Sequence, residues 1–531
     1  MAFLNCHMKG YIQPFERQLA IAELRALSGA EPEAVPSSGS ENLYKVNTTV
    51  DAGRLLSKLA YWQSIGAGEQ EFTRQVRAEA TSAIARNGVL LADMPTLAPS
   101  VVDSKVPNKR TLRYASHGLH EYRGKFFPQL VRSLMNMAEV PENGIVLDPM
   151  CGSGTTLVEA TLAGRASYGL DMNPLSVFLS TVKCQVLGLR PAELIDAHNQ
   201  VVSALKQPVP KLGQNSYFAG LPDRDQRYLE AWIAPSVLEE LDHIELTLRR
   251  LNKVSLQNLF GLSLSNIIRG VSWQKPEDLR VRKEVIHIPL GETIARFLDE
   301  ATRAVKSLVA FSAVRGEGPL GRYVVQEADA RLAAQALPEL GSRVDCVITS
   351  PPYATALPYL DTDRLSLIYL GLLPRVEHRA KDVQMIGNRE VTTRVRGAYW
   401  STFEERHDQL PASTQELIRK VDRLNTDADV GFRRRNLSAL LAKYFFDMRD
   451  VIAAQHDLLR SGGTMFMVIG NNRTNAGGED VEIRTTDHLA AIAQELGFQM
   501  AGNLSMEMLK SRDIFQKNAM PSEQIITLRK N

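Results

Sequence analysis

The sequence has few cysteines, no long apolar run and almost no excess of charge. Its four cysteines, Cys6, Cys151, Cys184 and Cys346, stand far apart and form no CxxC or CxxH pair. A structural zinc site or a disulfide framework is therefore not expected. No run of about 18 apolar residues occurs, which argues against a membrane-spanning helix and a membrane partner. Residues 1–13 lack the apolar segment of a secretion signal, so we expect a cytoplasmic protein.

The overall composition is that of a large globular protein. Of 531 residues, 44% are hydrophobic and 23% are charged, which is too apolar for a chain that stays disordered. The formal net charge is only +2, so local charge must decide whether nucleic acid is a partner. The length suggests three or four pieces of about 150 residues each.

Short apolar strands alternate with helical segments in the middle of the chain. A strand over 145–147 runs into a glycine loop and a helix, and a second strand over 166–170 ends at Asp171. Another helix is expected over 174–184. This series predicts an α/β fold with a Rossmann-like, doubly wound and mostly parallel sheet. Further strands are expected over 323–325, 345–348 and 464–469.

Two stretches interrupt the alternation, and a separate region precedes it. Residues 1–110 are predicted to be mostly helical, because Leu55, Leu56, Leu59 and Trp62 stand at helical spacing. The predicted division is a helical N-terminal region at 1–110, an α/β domain at 111–190, 315–372 and 437–531, and insertions at 191–314 and 373–436.

Gly152 and Gly154 stand in the loop between the first of these strands and its helix. Glycine permits positive φ and close approach of a ligand to the backbone, and the helix start offers free N–H groups. Asp148 and Pro149 replace the first glycine turn of a dinucleotide fingerprint, and the third glycine is missing. The loop is thus a weak match for NAD binding.

Carboxylates end two further strands of this series. Asp171 lies 19 residues after Gly152, where a carboxylate can accept from two ribose hydroxyls. Asp329 ends the third strand, where its carboxylate or the nearby backbone could meet an adenine amino group. A ribose and an adenine without a phosphate cradle favour S-adenosylmethionine as the cofactor. Alternatively, the glycines only turn the chain and the aspartates only cap helices.

The tetrapeptide Ser350-Pro351-Pro352-Tyr353 follows a strand, where open α/β sheets bind ligands. Its two prolines fix φ and remove two N–H donors, which stiffens the loop and leaves its carbonyls as acceptors. Acceptors on Ser350 and Pro351 can hold both hydrogens of an exocyclic amine and free its lone pair for attack. Tyr353 offers a face for an extruded base. Alternatively, the tetrapeptide is an ordinary strand-terminating turn.

Three motifs resemble those of the amino-group DNA methyltransferases. Residues 148–155 (DPMCGSGT) are similar to the cofactor motif, and residues 349–353 (TSPPY) are similar to the catalytic motif in its cytosine-N4 form. Residues 120–128 (HEYRGKFFP) resemble the motif beside the methionine part of the cofactor. The resemblance implies the S-adenosylmethionine-dependent methyltransferase fold without a metal. It gives the catalytic candidates Ser350, Pro351, Pro352 and Tyr353, and the cofactor-binding candidates Lys125, Phe126, Asp148, Pro149, Met150, Cys151, Gly152, Gly154, Thr155, Asp171 and Asp329.

Both insertions carry basic residues and are candidates for target recognition. Residues 249–283 hold eight basic residues against two acidic ones, a balance that suits phosphate contacts and some base reading. The alternative for each insertion is a solvated charged face. The DNA-binding candidates are Arg269, Trp273, Lys275, Arg280, Arg282 and Lys283 in the first insertion, and Arg394, Arg396, Arg433, Arg434 and Arg435 in the second.

The expected activity is methyl transfer from S-adenosylmethionine to an exocyclic amine of a flipped base in double-stranded DNA, first of all cytosine N4. Adenine N6 is the nearest alternative, followed by guanine N2 in RNA, because a similar Pro-Pro-Tyr loop occurs in that group. Protein-glutamine methylation fits less well, since Asn would be expected at Ser350. A catalytically silent DNA-binding subunit is the alternative of another class. The family also suggests a restriction–modification or other defence setting with a partner endonuclease.

Overall fold

The N-terminal region is mixed α/β: beside its helices it has five strands, which the prediction of a mostly helical region did not include. In the computed structural model, Leu4, Cys6 and Met8 are buried on a strand while Phe3 is exposed, a period of two. Trp62 begins a strand instead of continuing a helix, because a short apolar run fits either period. The elements are β1 (Ala2–Met8), α1 (Pro14–Ser28), β2 (Glu33–Ala34), β3 (Leu43–Thr48), α2 (Ala52–Lys58), β4 (Trp62–Gly66), β5 (Glu71–Phe72), α3 (Arg74–Arg86) and α4 (Met94–Ser104).

These five strands form an antiparallel sheet in the order β2-β3-β1-β4-β5. The structure describes residues 2–35, 42–86, 88–104, 107–122, 124, 126–275, 282–316, 318–354, 359–388, 391–427, 430–507 and 519–531.

The rest of the chain alternates strands and helices around two helical insertions. Before the first insertion, the elements are α5 (Pro128–Met137), β6 (Ile145–Asp148), α6 (Thr155–Leu162), β7 (Ala166–Asp171) and α7 (Pro174–Gln185). The first insertion and the segment after it contain α8 (Pro191–Ala204), α9 (Asp223–Glu230), α10 (Pro235–Leu248), α11 (Val254–Ile268), α12 (Glu292–Arg315), β8 (Tyr323–Glu327), α13 (Ala333–Ala336), β9 (Val344–Thr349), α14 (Tyr359–Thr362) and α15 (Arg364–Tyr369).

The second insertion is helical as well, and the last part of the chain completes the sheet. Its elements and those that follow are α16 (His378–Gln384), α17 (Thr393–Arg406), α18 (Ala412–Thr426), α19 (Phe432–Arg435), α20 (Leu437–Leu458), β10 (Leu459–Ala476), β11 (Glu479–Ile483), α21 (Thr485–Glu495), β12 (Phe498–Glu507) and β13 (Ala519–Lys530).

The main sheet confirms the predicted fold class. Its strand order is β12-β13-β10-β9-β6-β7-β8, and β11 pairs with the outer end of β10. Strands β10, β9, β6, β7 and β8 run parallel, while β11, β12 and β13 are antiparallel to their neighbours. On β6, Val146 packs into the core on one face and Leu147 into the core on the other. The sheet is therefore covered on both faces, as a doubly wound fold requires.

The register of β6 and β9 brings two predicted loops to the same edge of the sheet. Leu147 pairs with Val347, so the residues that end the two strands leave the sheet at the same height. The glycine loop follows β6, and the Pro-Pro-Tyr loop follows β9. Ligands bind beyond the carboxyl ends of such strands, so this edge is where a site is expected.

Both insertions contact the part of the domain near this edge. In the first insertion, Gln274 donates to the carbonyl of Thr362 at 3.4 Å, just after the Pro-Pro-Tyr loop. In the second, Asn425 accepts from Gly477 in the β10–β11 turn at 3.1 Å and donates to the carbonyl of Arg434 at 2.8 Å. No helix among the described residues is long and apolar enough to cross a membrane.

Candidate active site

The loops after β6 and β9 line one cavity of about 370 Å³, a size in the range of small-molecule sites. Asp171 at the end of β7 and residues next to the end of β8 also border it. The two loops therefore lie on the same side of the sheet and share one space. The predicted residues that line it are Phe126, Asp148, Pro149, Met150, Cys151, Gly152, Thr155, Asp171, Ser350, Pro351, Pro352 and Tyr353.

The two loop glycines have different structural roles. Gly152 has a φ of +49°, and a Cβ atom there would lie 3.1 Å from the ring of Tyr122 at the cavity wall. Gly154 has a φ of +77°, and a Cβ atom there would lie 2.8 Å from the Cα atom of Ser180. Gly152 thus borders the cavity, whereas Gly154 is required for close packing of the loop on α7. The latter was predicted to bind the cofactor, but it does not line the described cavity.

Helix α7 holds the glycine loop from behind. Ser180 donates its hydroxyl to the carbonyl of Gly152 at 2.8 Å, and the buried Lys183 donates to the carbonyl of Ser153 at 3.0 Å. Buried carbonyls without a partner would be costly, so these two side chains fix the loop in its conformation.

Asp171 joins the end of β7 to the glycine loop. Its Oδ2 atom accepts from the amide of Gly152 at 2.8 Å, and its Oδ1 atom accepts from the amide of Asn173 at 2.8 Å. Burial raises the pKa of this carboxyl from 3.8 to about 6, although both amides act in the opposite direction. The carboxylate keeps acceptor capacity for a further donor such as a ribose hydroxyl.

Asp148 forms a buried part of the cavity wall. Its side chain accepts from the amide of Met150 at 3.2 Å, and the residue is 1% exposed. Burial raises the pKa of its carboxyl from 3.8 to about 7. A cation bound nearby would favour the ionised form of this carboxyl and lower its pKa again.

Asp329 does not present its carboxylate as a free acceptor. Arg331 donates from Nε to both oxygens of Asp329 at 2.9 and 3.0 Å, and the amide of Arg331 also donates to Oδ1. Ala328 and Ala330, the neighbours in sequence, line the cavity. Of the two predicted contacts to an adenine, the structure favours the one from the backbone.

Arg331 also ties the second insertion to the cavity. It donates from Nη1 to Asp447 at 2.6 Å and from Nη2 to the carbonyl of Gln384 at 3.1 Å. The next two residues, Met385 and Ile386, line the cavity. Sequence reasoning missed both, because nothing in their local pattern connects them to β8.

The Pro-Pro-Tyr loop has a partner on a distant strand. Tyr353 donates its hydroxyl to Oε1 of Glu523 on β13, and Glu523 lines the same cavity. A Cβ atom on Gly470 of β10 would lie 2.9 Å from the Tyr353 ring. No local pattern indicated Glu523, because it lies 170 positions after Tyr353 and reaches the cavity only through the order of the strands in the sheet.

Comparison with known proteins finds sequence similarity to methyltransferases. A family model for the RMKL-like methyltransferase domain matches residues 119–205. The type II methyltransferase M.MvaI of Kocuria varians is 27% identical over 48% of this chain and 58% of that protein. M.BsoBI of Geobacillus stearothermophilus, also a type II methyltransferase, is 22% identical over 77% of this chain and 87% of that protein. The tRNA (guanine(10)-N2)-dimethyltransferase of Methanocaldococcus jannaschii is 46% identical over 9% of this chain and 14% of that protein.

The chain is thus similar in sequence to amino-group DNA methyltransferases. The predicted resemblance is confirmed, and the mostly parallel main sheet is consistent with the predicted Rossmann-like fold. The match spans little more than half of M.MvaI, 58% of its length.

The cavity suits S-adenosylmethionine, the cofactor that the sequence motifs predict. None of the described residues lining the cavity is Lys or Arg, and the carboxyls of Asp148, Asp171 and Glu523 line it. A cationic group bound there would therefore face carboxyls. Phe126, Phe127 and Met172 add apolar surface to the same wall. Lys125, predicted to lie beside the cofactor, is outside the described residues.

The DNA-binding candidates of the first insertion surround a short hairpin. The backbone N–H of Lys275 donates to the carbonyl of Arg282 at 2.9 Å. The backbone N–H of Glu284 donates to the carbonyl of Trp273 at 2.7 Å. Lys283 is exposed, and its ammonium lies 4.8 Å from the centre of the Trp273 ring. Arg269 donates to the carbonyl of Lys275 at 3.0 Å, so its side chain is used to hold the hairpin in place. The remaining candidate in this insertion, Arg280, lies outside the described residues.

The candidates of the second insertion are more accessible. Arg433, Arg434 and Arg435 form the exposed last turn of α19, and Arg394 is exposed at the start of α17. Arg396 is half-buried. Helix α19 is connected through Asn425 to the β10–β11 turn, which lies beyond the carboxyl end of β10. These arginines therefore stand on the side of the sheet at which the cavity lies. Among the residues the structure describes, no cluster of His, Cys, Asp and Glu has the arrangement of a metal site.

Proposed function

We propose that this protein is a site-specific DNA methyltransferase that transfers a methyl group to an exocyclic amine of a base. The proposed target amine is N4 of cytosine. The observation that carries the proposal is that the Ser350–Tyr353 loop and the Asp171-linked glycine loop line one cavity. A methyl group moves between two reactants only when they share such a space, because in-line attack needs contact between the reacting atoms.

The residues of the Pro-Pro-Tyr loop prepare the amine. The Ser350 hydroxyl oxygen and the Pro351 carbonyl accept the two N–H hydrogens, which lessens delocalisation of the nitrogen lone pair into the ring. When bound, S-adenosylmethionine supplies an electrophilic methyl group on its sulfonium. A nitrogen–carbon bond forms as the sulfur–carbon bond breaks, the sulfur takes the bonding electron pair, and the nitrogen loses one proton to solvent. Most of the acceleration comes from alignment, since Ser350 is uncharged.

The target base would have to leave the duplex before it reaches this loop. A base inside B-form DNA is inaccessible to an enclosed cavity, so the base is flipped and stacks on the face of Tyr353. The exposed arginines of α19 and the basic hairpin near Trp273 supply phosphate contacts on either side of the duplex. Recognition of the DNA sequence is assigned to the two insertions.

Guanine N2 in RNA is the second candidate target. A 50-residue segment of the chain is 46% identical to a tRNA guanine-N2 enzyme, a higher identity than that of the DNA enzymes over a much shorter span. The half-buried carboxyl of Glu523 beside Tyr353 would also suit the N1–H group next to the guanine amine. Adenine N6 in DNA is the third candidate, because its amine is presented to the loop in the same way as that of cytosine.

The test is methyl transfer from labelled S-adenosylmethionine to separate pools of double-stranded DNA, tRNA and protein. We expect label in DNA, and after nuclease digestion mass spectrometry should identify N4-methylcytosine. Label in N6-methyladenine would move the target to adenine, and label in tRNA alone would replace the proposal by the RNA alternative. The variant Ser350→Ala is expected to lower the rate on whichever pool is labelled. Protection of the methylated DNA from a type II endonuclease encoded nearby would support a restriction–modification setting with an endonuclease partner.

A further inference from the structure

Tyr353 is held between two strands that follow it far along the chain. Its ring lies against Gly470 on β10, where there is no room for a Cβ atom. Its hydroxyl donates to Glu523 on β13. Gly470 and Glu523 are direct partners across the β10–β13 ladder. One cross-strand pair therefore contacts both the edge of the ring and its hydroxyl.

Glu523 faces the cavity although β13 is an inner strand of the sheet. Its neighbours Ile525 and Ile526 are buried in the core, and Gln524 bonds to Asn503 on β12 at 2.9 Å. A carboxyl at such a position costs free energy unless it has a hydrogen-bond donor, and the Tyr353 hydroxyl is one. Burial raises the pKa of Glu523, which agrees with a sheltered position.

We propose that Glu523 is a positioning residue, which fixes the plane of the Tyr353 ring through the phenol and thereby sets the place where the target base stacks. This proposal rests on the proposed function. Phenylalanine could offer the same aromatic face, but only tyrosine can be tied to β13 by its hydroxyl. The side chain of tyrosine rotates about two bonds, and the contact with Gly470 together with the bond to Glu523 restricts both.

The restriction matters for the reaction because the base and the amine acceptors must be aligned together. Ser350 and Pro351 can hold the amine only if the plane of the base is fixed, and stacking on Tyr353 fixes that plane. A ring that turns freely would still attract a base, but it would present the amine in many directions. Loss of the hydrogen bond should therefore reduce turnover more than it reduces cofactor binding.

The test compares Glu523→Leu, Glu523→Gln, Tyr353→Phe and the double variant Glu523→Leu/Tyr353→Phe in the full-length protein. Glu523→Leu should lower kcat on the DNA substrate by roughly tenfold or more, as expected for loss of a hydrogen bond to a carboxylate. Tyr353→Phe should give a similar loss, and the double variant should be no worse than either single one. Glu523→Gln should retain activity within about threefold, because its amide oxygen still accepts from the phenol.

Two further measurements separate positioning from general damage. The dissociation constant for S-adenosylmethionine should be unchanged in all four variants, and the melting temperature should fall in Tyr353→Phe alone, because Glu523 then loses its donor. The matched control is Gln524→Leu, which lies next to Glu523 on the same strand and outside the cavity lining, and should retain the wild-type kcat.

Several outcomes would overturn the proposal while leaving the proposed function intact. If the effects of Glu523→Leu and Tyr353→Phe add in the double variant, the two residues act independently. If Glu523→Gln is as slow as Glu523→Leu, the charge of Glu523 is needed and not its hydrogen bond.

If the wild-type protein labels tRNA instead of DNA, the proposed function fails, and the same four variants are then compared on tRNA. A wild type that labels no pool overturns both proposals.

Discussion

The backbone amide of Gly152 donates to Oδ2 of Asp171 at 2.8 Å, which joins the turn after the first parallel strand to the end of the second. The bond orients the carboxylate and leaves part of each oxygen free to accept. It also means that the conformation of the glycine loop and the position of the ribose acceptor are set together. A substitution of either Gly152 or Asp171 should therefore disturb both the glycine loop and the ribose acceptor, and so weaken cofactor binding.

Removal of the Asp171 carboxylate should weaken cofactor binding. We expect Asp171→Ala to raise the dissociation constant for S-adenosylmethionine by roughly tenfold or more, since two charge-assisted hydrogen bonds to ribose and one to Gly152 are lost. Isothermal titration calorimetry measures the change. Asp196→Asn, on the exposed face of α8, is the matched control and should bind as the wild type does. Unchanged affinity in Asp171→Ala would remove this residue from the cofactor site.

The buried carboxyl of Asp148 should make the stability depend on pH. Its pKa is about 7 in the folded protein and close to 3.8 in the unfolded chain, so the folded state binds more protons between these values. The contribution of this group to the free energy of unfolding therefore falls as the pH rises from about 4 to about 7. Asp148→Asn should be more stable than the wild type at pH 8, by on the order of 1–3 kcal/mol, and equally stable at pH 4. Urea unfolding at both pH values measures the difference, and a less stable variant at pH 8 would contradict the prediction.

Tyr353 should act on the base and not on the cofactor. Tyr353→Ala removes the stacking face, and kcat/KM for DNA should fall by roughly 5- to 150-fold, the range for loss of one base–aromatic stack. The dissociation constant for S-adenosylmethionine should change less than about twofold. Equal loss of both would mean that the ring supports the whole cavity and has no separate role in base placement.

Arg331 should control the cofactor site through the second insertion. Arg331→Ala frees the carbonyl of Gln384, so residues 378–386 should exchange amide hydrogens faster and Met385 and Ile386 should no longer be held against the cavity. We expect the affinity for S-adenosylmethionine to fall by roughly fivefold or more. Arg419→Ala is a suitable control, because its ion pair with Glu404 is at least a third exposed on both sides. Unaltered exchange over 378–386 would show that this connection does not hold the segment.

The two basic surfaces should differ in their contribution to DNA binding. Replacement of Arg433, Arg434 and Arg435 by alanine should lower DNA affinity at all sequences and reduce the slope of log K against log salt by about 2–3. Replacement of Arg282 and Lys283 should reduce that slope by about 1–2, since Lys283 lies over Trp273. Filter binding at several salt concentrations measures both, and the melting temperatures check the fold. An unchanged slope in the α19 variant would identify its arginines as a solvated face.

The parts of the site that could be predicted from sequence are those that follow a strand directly. Asp171, Gly152 and Ser350 each stand next to a short apolar strand, and parallel strands place their carboxyl ends at one edge. Glu523 could not be predicted in this way, because its position depends on the insertion of β13 between β10 and β12. Asp329 shows a different difficulty. Its place at the end of β8 was right, but the side chain of Arg331 two residues later occupies its carboxylate.

The fold, like the site, could be predicted from the sequence only in part. The periodicity of the strands over 145–148 and 344–349 is strong, and the predicted sheet formed there. In the N-terminal region, the helical spacing around Trp62 competed with a period of two that continues into β4, and packing of Trp62 in the core decided between them.

The place of β13 within the sheet has a consequence for how the protein matures. Strand β12 precedes β13 in sequence but reaches the sheet through pairing with it. A nascent chain made only as far as β12 carries both reactive loops, yet one side of β10 is still without its neighbour and is exposed to pairing with other chains. Arrival of β13 then closes this gap and delivers the acceptor for the tyrosine in the same step. Completion of the sheet and competence for methyl transfer would thus be a single late event on the folding pathway.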